Sequence, residues 1–553
     1  IYCQGRLGPG KFNELLFLTQ INFNIMKKVF LIILVLCSTF SVVAQQYDTA
    51  VSPLKGEKWW GGLVALGSQM PFNSTTEWYD LGRKNLNNQV VPLLLSSEGR
   101  YIWSEQPFRF RLQNDTLLLH SDYEKLNVIS AGKTLKDAYL NASANYFPPS
   151  GKLPEEIFFS KPQYNTWIEL MYNQNQVDIE RYAQDILANN FPTGIFMIDD
   201  NWQKYYGNFD FKQEKFPDPA GMIERLHKQG FKVMVWISPF VSADSPEYRF
   251  LAQKGYLVRE KDGVTPAMIY WWNGVSACYD MTNPEASAYL ETQLCNTQKK
   301  YGIDGYKFDA GDVAHFTDEY TFYDSNANAC TFSQKWAELG LKFSYNEFRT
   351  SYKLGGQPLV QRLGDKSYSW SASALLIPDM VAAGLLGHAY TCPDMIGGGE
   401  FGSFLDIDTD NFDQELIVRS CQIHAFMPMM QFSVAPWRIL DREHLDICCK
   451  FAQFHEQMGN YLLQMAVHAS QTGEPIVRHL EYAFPHQGFT DCHDQFMVGD
   501  KYLVAPMVTK GTCRKVKLPK GEWKDDMGKK FRGPKTIEIE VPLERLPYFE
   551  RIK

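Results

Sequence analysis

The stretch Gly302-Ile303-Asp304-Gly305-Tyr306-Lys307-Phe308-Asp309-Ala310-Gly311-Asp312 contains the pattern that decides the fold. Its middle part, 305–308, is typical of a short buried strand, and it ends on the carboxylate of Asp309. The small residues Ala310 and Gly311 follow, so little bulk stands behind that acid. Parallel β/α proteins build their active sites at the C-terminal ends of strands. The stretch therefore predicts an acid at the mouth of a barrel or sheet.

A second acid follows a similar pattern further along the chain. Residues 359–363 are predicted to form a strand, which leads through Gly364 to Asp365. Two carboxylates on the ends of different strands are the minimum equipment for cleaving a glycosidic bond. Asp309 and Asp365 are therefore a candidate catalytic pair.

Predicted strands, loops and helices alternate on both sides of this pair, from residue 161 to 464. Apolar runs in this range predict eight strands, with helical or mixed segments between them: 167–171, 194–198, 231–237, 306–309, 343–348, 359–363, 389–392 and 425–430. Eight strands in this order predict a (β/α)8 TIM barrel, which is an α/β fold. The stretch at about 244–285 is longer than a plain connection and predicts an inserted lobe over the barrel mouth.

Residues 45–160 and 465–553 show short apolar runs separated by turn residues instead. This spacing predicts an antiparallel β-sandwich on each side of the barrel, one N-terminal and one C-terminal.

Residues 1–44 are predicted to lie outside the folded chain. Met26-Lys27-Lys28 precedes an apolar run over 29–37, and Ala44 stands before a cleavage point at Gln45, which is typical of a secretory signal peptide. Residues 1–25 would then lie upstream of the start. Cys37 resembles a lipidation site, but Leu36 is too large for the preceding position. The prediction is export across the inner membrane to the periplasm or the exterior, with no membrane span in the mature chain.

Composition excludes several classes of function. The net charge of −8 argues against nucleic-acid binding, which requires a basic surface. The cysteines left after removal of the signal peptide are scattered and odd in number, which does not predict a disulfide framework. No spacing of Cys or His predicts a metal site, and no cofactor is expected. Aromatic residues reach 14%, a content compatible with sugar binding.

Several ordered motifs resemble glycoside hydrolase family 31 over nearly the whole mature chain. They are Phe216-Pro217-Asp218-Pro219, Asp280-Met281-Thr282-Asn283-Pro284, the strand ending on Asp309, Arg362-Leu363-Gly364-Asp365, Asp394-Met395-Ile396-Gly397-Gly398 and Gln495-Phe496-Met497-Val498-Gly499-Asp500. The resemblance implies a retaining exo-α-glycosidase that forms a covalent glycosyl-aspartate. Asp309 would be the nucleophile and Asp365 the general acid/base.

Within that family the sequence resembles the α-galactosidase branch, which includes bacterial enzymes and the animal myogenesis-regulating glycosidase. The resemblance rests on Lys307-Phe308-Asp309-Ala310-Gly311 and Asp199-Asp200-Asn201-Trp202. Where α-glucosidases of the family have Arg-Asn-His near the last strand, this chain has Gln431-Phe432-Ser433. The missing His removes a hydroxyl contact typical of glucose recognition. An oligosaccharide or α-galactoside is therefore the expected substrate.

The remaining site predictions concern substrate holding. Asp199 or Asp200 would bond the O4 or O6 hydroxyl, and the sequence leaves the choice open. Trp236 and Trp272 could stack on the sugar ring or belong to the barrel core. The other predicted substrate-binding residues are Lys307, Arg349, Arg362 and Asp394. Lys307 and Arg349 could instead form ion pairs behind the site, and Asp394 could also act through a neighbour.

Three alternatives stay open. The protein could be another family 31 α-glycosidase, such as an α-glucosidase or α-xylosidase. It could be a transglycosylase that uses the same residues, or a carbohydrate-binding protein on a non-catalytic scaffold. The sequence does not predict the oligomeric state.

Overall fold

A computed structural model of the chain describes residues 46–405, 407 and 412–553. The predicted signal peptide and upstream residues, 1–44, lie outside the described residues. Among the helices described, none is long and apolar enough to cross a membrane.

Eight parallel strands form the centre of the protein, as the sequence predicts. In chain order they are β1 (Gln163–Asn165), β2 (Ile195–Ile198), β3 (Lys232–Ile237), β4 (Gly305–Phe308), β5 (Tyr345–Phe348), β6 (Gln361–Arg362), β7 (Thr391–Cys392) and β8 (Gln431–Phe432). Their order in the sheet is β7-β6-β5-β4-β3-β2-β1-β8, and every pairing between neighbours is parallel. The strands therefore form a nearly closed TIM barrel, whose C-terminal strand ends lie at one rim.

Two of the predicted strands are wrong in position. Residues Trp167–Leu170 form a helix, and β1 precedes them. The side chain of Asn165 accepts a hydrogen bond from the N–H of Trp167 (2.8 Å), a local turn that ends the strand. The run 425–430 is buried at the end of a helix, and β8 begins one residue later. A fully buried apolar run has no periodicity that separates strand from helix.

Helices connect the barrel strands and cover the barrel. Those of eight residues or more are Gln176–Ala188, Pro219–Lys228, Pro246–Lys254, Pro284–Tyr301, Ala329–Gly340, Leu376–Leu385, Gln414–Ala425 and Arg442–Thr472, with Leu135–Tyr146 before the barrel. The residues just before each helix explain where several of these helices begin. Asp218, Ser245 and Asn283 each cap a helix whose first residue is proline, because proline has no N–H to leave unpaired there.

The predicted lobe contains a small antiparallel sheet that reaches the barrel rim. Phe240–Ser242 pairs with Gly274–Cys278, which pairs with Ile269–Trp271. The last two strands form a hairpin, and Trp272 and Asn273 stand at its tip. We refer to Ile269–Cys278 as the rim hairpin.

The regions on either side of the barrel are antiparallel. Residues 47–130 form two four-stranded sheets: Tyr47–Val51, Thr116–Ser121, Arg109–Gln113 and Tyr79–Asp80 in one, and Trp59–Leu63, Val90–Ser96, Arg100–Trp103 and Val128–Ser130 in the other. Residues 477–551 form one six-stranded sheet from Val477–Arg478, Phe496–Val498, Tyr502–Val504, Tyr548–Arg551, Cys513–Asp525 and Lys530–Glu540. The description of both regions as sandwiches, and the predicted domain boundaries, stay predictions.

Candidate active site

A cavity of about 440 Å³ opens at the C-terminal ends of the barrel strands. Nine of the ten predicted site residues line it: Asp199, Asp200, Trp236, Trp272, Lys307, Asp309, Arg349, Arg362 and Asp365. Asp394 does not line the cavity and is fully buried behind it. The two predicted catalytic acids therefore share one cavity of the size that small ligands occupy.

Asp309 follows β4 directly, and its carboxylate is held on both oxygens. Oδ1 accepts from Nε of Arg349 (2.8 Å) and from the N–H of Ala310 (2.8 Å), while Oδ2 accepts from Nε1 of Trp236 (2.9 Å). Behind it, Gly311 has a φ of +79°, and a Cβ there would lie 2.4 Å from the ring of Trp336. The small residues that follow the strand are thus a steric requirement of this turn.

The charges around Asp309 keep it ionised. Burial alone would raise the pKa of this carboxyl, but the positive charges of Arg349, Lys307 and Arg362 outweigh burial and hold its pKa well below its ordinary value of 3.8. A carboxylate that stays charged across the physiological pH range has the property that nucleophilic attack requires.

Arg349 joins Asp309 to a second buried acid, Asp312. Its Nη1 and Nη2 donate to the two carboxylate oxygens of Asp312 (3.0 and 2.8 Å), and its guanidinium lies 5.3 Å from the ring centre of Trp272. Burial opposes the ionisation of Asp312, but Arg349 lowers its pKa overall. Asp312 therefore serves to fix Arg349 against Asp309.

Asp365 stands on the loop after β6 and lines the same cavity as Asp309. Its Oδ1 accepts from Nη1 of Arg362 (2.7 Å), and its side chain keeps 41% of its surface exposed. Asp309, by contrast, keeps 12%. The two acids thus have different surroundings, one enclosed by donors and the other open to solvent and substrate.

Asp199 and Asp200 both reach the cavity, but their hydrogen bonding differs. Oδ2 of Asp199 accepts from Nζ of Lys307 (2.6 Å), and its Oδ1 accepts from the N–H of Asp200 (2.9 Å). Oδ2 of Asp200 accepts from the hydroxyl of Tyr206 (3.0 Å) and from Nδ2 of Asn273 (2.8 Å), whereas its Oδ1 is buried and has no partner among the described residues. Within the described part of the chain, Asp200 therefore has one oxygen that is buried without a partner, whereas both oxygens of Asp199 are hydrogen-bonded.

The pKa of Asp200 is raised to about 7, because the group is buried and lies beside the charge of Asp199. Lys307, which the sequence places on the same face as Asp309, makes its direct contact with Asp199 instead. Lys307 acts on Asp309 through its charge alone.

Trp236 differs from a simple stacking platform. It is 1% exposed, and its indole nitrogen is bonded to Asp309, so it presents only a small edge to the cavity. Trp272, at the tip of the rim hairpin, is 46% exposed and offers the larger aromatic surface.

Several lining residues were missed by the sequence analysis: Asn87, Trp167, Tyr172, Glu400 and Phe401, together with Asn273 and Tyr206, which contact Asp200. Asn273 also accepts from the hydroxyl of Tyr172 (2.9 Å) and donates to that of Tyr206 (2.7 Å), so it connects the rim hairpin to Asp200. Asn273 lies in the lobe that the sequence predicts over the barrel mouth, but no sequence motif identifies Asn273 itself.

A (β/α)8 barrel with two carboxylates at the mouth of one cavity defines the class of barrel glycoside hydrolases. The chain belongs to glycosyl hydrolase family 31. The family's TIM-barrel domain model matches residues 159–465, and its C-terminal domain model matches residues 473–552.

Curated relatives include the myogenesis-regulating glycosidase of Mus musculus, 32% identical over 417 residues that cover 73% of this chain and 58% of the relative. An α-xylosidase of Emericella nidulans is 26% identical over 542 residues, or 90% of this chain and 66% of the relative. This chain thus spans less than two thirds of the length of these relatives.

Two solved structures share the fold. One is a family 31 dextranase of Flavobacterium johnsoniae complexed with glucose, with a TM-score of 0.79 and 21% identity over 92% of this chain and 66% of that one. The other is an α-xylosidase from a soil metagenome complexed with xylose, with a TM-score of 0.78 and 21% identity over 92% of this chain and 79% of that one.

Proposed function

We propose that the protein is a retaining exo-α-glycosidase that removes terminal α-linked galactose. The observation that carries the proposal is the pair of carboxyls with different surroundings in one cavity. Asp309 is held charged by Arg349 and Trp236, and Asp365 is open to the cavity beside Arg362. Two acids whose environments differ in this way can act as nucleophile and proton donor in one reaction.

The reaction would proceed in two steps. Asp309 attacks the anomeric carbon as Asp365 gives its proton to the glycosidic oxygen, the bond to the leaving group breaks, and a covalent β-galactosyl ester forms on Asp309. Asp365, now a carboxylate, takes a proton from water as that water attacks the same carbon. The ester bond breaks, and α-galactose leaves with both acids restored.

The proposed preference for galactose over glucose rests on two residues at the last barrel strand, β8: Gln431 and Ser433. Gln431 donates to Glu347 (2.9 Å) and to Gln163 (3.1 Å), and the hydroxyl of Ser433 accepts from the N–H of Ile168 (2.8 Å). All of these residues are buried, and neither Gln431 nor Ser433 lines the cavity. Glucosidases of the family have a histidine in this segment. Here, the side chains of Gln431 and Ser433 would make no contact with a sugar hydroxyl in the cavity.

The charges of the cavity favour a neutral sugar. Among the described residues that line it, each of the three cations Lys307, Arg349 and Arg362 already donates to a carboxylate. A sulfonated or carboxylated sugar would face several acids and no unpaired cation. A neutral hexose needs no cation, and its hydroxyls can donate to the carboxylates of the cavity.

Initial rates with the p-nitrophenyl α-glycosides of galactose, glucose and xylose test the proposal. We expect the galactoside to have the highest kcat/KM and Asp309→Ala to abolish turnover. Preference for the xyloside would support α-xylosidase activity, the activity named for one of the relatives. Preference for the glucoside would contradict the proposed specificity for galactose. No turnover of any α-glycoside by a folded protein would favour a carbohydrate-binding role. Added sugar acceptors, with analysis of the products, separate hydrolysis from transglycosylation.

We also propose that the protein is exported to the periplasm or beyond. The support is the basic and apolar pattern over 26–44 in the sequence. Cell fractionation with N-terminal sequencing of the mature chain tests this, and retention of residues 26–44 in the cytoplasmic fraction would contradict it.

A further inference from the structure

One nitrogen of Arg362 connects two carboxyl groups. Nη1 donates to Oδ1 of Asp365 (2.7 Å) and to Oδ1 of Asp394 (3.1 Å), and it also contacts the carbonyl of Leu363 (3.0 Å). Arg362 and Asp394 are almost completely buried, whereas Asp365 is partly open. A single cation thus faces these two acids, and its Nε also lies 3.5 Å from Oε1 of a third buried acid, Glu347.

Gly399 shows how close the two acids are. A Cβ on this glycine would lie 2.7 Å from Oδ1 of Asp365 and 2.8 Å from Oδ1 of Asp394, so both carboxyl oxygens border the same point. Neighbouring carboxylates repel each other, and one proton held by the pair relieves the repulsion.

The surroundings of Asp394 can hold a negative charge. Its Oδ2 accepts from the N–H groups of Lys366 (2.7 Å) and Gly399 (3.1 Å). From the helix Gln414–Ala425, Nε2 of His424 lies 3.3 Å from the backbone carbonyl of Asp394, and burial lowers the pKa of this histidine to about 4, so it adds no charge. The ammonium of Lys366 pairs with Asp379 (3.0 Å).

We propose that Asp394 is a positioning residue that shares one proton with Asp365 and takes the negative charge of the pair when substrate covers Asp365. This proposal rests on the proposed function, because it assigns Asp365 the role of proton donor. In the free protein, solvent and Arg362 can both stabilise a charge on Asp365. A sugar in the cavity removes the solvent, while the two N–H donors of Asp394 remain.

The charge of the pair then resides on Asp394, and the proton resides on Asp365, where the glycosidic oxygen needs it. The burial of Asp394 and its repulsion by Asp365, which raise its pKa to about 7, agree with a proton that the pair retains near neutral pH. After the leaving group has taken the proton, Asp365 accepts another from water, and the pair returns to its starting state.

The test compares two substrates that differ in their need for an acid: phenyl α-galactoside, whose leaving group must be protonated, and α-galactosyl fluoride, whose leaving group needs little help. Asp394→Asn should lower kcat/KM for the phenyl glycoside by about tenfold or more, within the range of general acid catalysis, and for the fluoride by much less. It should also move the alkaline limb of the pH profile to lower pH, since the pair of acids that retains the proton is no longer present.

Gly399→Ala provides a second variant that keeps both acids. Its Cβ would push the two carboxyls apart, so the same selective loss and the same shift of the alkaline limb are expected. It carries the test if Asp394→Asn does not fold, as judged by circular dichroism and thermal unfolding. Asp280→Asn, at a buried acid of the inserted lobe, is the matched control and should change neither substrate's rate.

Equal losses for both substrates with an unmoved alkaline limb would show a merely structural role and overturn the proposal, as would unchanged rates in both variants. If the wild-type protein turns over glucosides or xylosides instead, the galactose assignment fails separately. The same comparison is then made with the phenyl glycoside and the fluoride of that sugar.

Discussion

Replacing Arg349 with methionine tests whether charge balance holds the nucleophile in place. Arg349 makes one hydrogen bond to Asp309 and two to Asp312, and all three residues are buried. The substitution retains an apolar chain of comparable length but leaves two buried carboxylates without their cation. Removing one partner of a buried ion pair typically costs about 3–5 kcal/mol, so we expect a loss of that order in the free energy of unfolding at pH 7.

The loss should depend on pH, and its direction follows from the pKa shifts. In the native protein the pKa of both acids lies below 3.8, so their stabilising contribution is complete above that pH and disappears only as the pH falls through their lowered values. Without Arg349, burial would dominate at Asp312 and raise its pKa above 3.8, while Lys307 and Arg362 would still oppose burial at Asp309. The variant would then regain stability as Asp312 takes up a proton, and its deficit relative to the wild type should be smaller at pH 5 than at pH 7.

Urea unfolding followed by tryptophan fluorescence at both pH values measures this deficit. Arg349→Lys keeps a positive charge and should lose less at pH 7. Arg419→Met is the matched control, since Arg419 is equally buried but bonds chiefly to backbone carbonyls, such as that of Val541 (2.9 Å). Its deficit should be similar at the two pH values. An Arg349→Met deficit that is the same at pH 5 and pH 7 would refute the reasoning.

Two further predictions concern Asp200. Asn273→Ala removes a hydrogen bond to this carboxyl and the link to Tyr172. Hydrogen bonds to charged groups are worth about 1.5–3 kcal/mol. We therefore expect kcat/KM to fall about tenfold or more, mainly through a higher KM. Asn326→Ala, on an exposed loop, serves as its control, and an unchanged KM would contradict the prediction. Because the pKa of Asp200 is raised to about 7, its contribution to stability is complete below 3.8 and is lost as the pH rises through 7. Asp200→Asn should therefore flatten the fall in unfolding free energy between pH 5 and pH 8, whereas the exposed Asp244→Asn should not; a slope equal to that of the wild type would count against the raised pKa.

The barrel and its two acids were predictable from the sequence because they depend on local order. A strand whose last residue is followed by small residues places Asp309 at the rim, and the repeated strand and helix pattern predicts the sheet that carries Asp365 to the same rim. The chain order of the strands and the face on which Lys307 lies follow from the same periodicity. The positions of β1 and β8 could not be predicted equally well, because buried apolar runs lack a distinguishing period.

The partners within the site were decided by the tertiary structure. The sequence left Asp199 and Asp200 equivalent; the structure distinguishes them, because Lys307 reaches one and the tip of the rim hairpin reaches the other. It likewise sets Asp394 behind Asp365, next to the same nitrogen of Arg362. Such contacts join residues on separate strands and loops, and their distances depend on the closure of the barrel and the path of each connection. Local residue patterns carry no information about either, so the sequence determined which acids reach the rim, and the folded chain determined which charges they meet there.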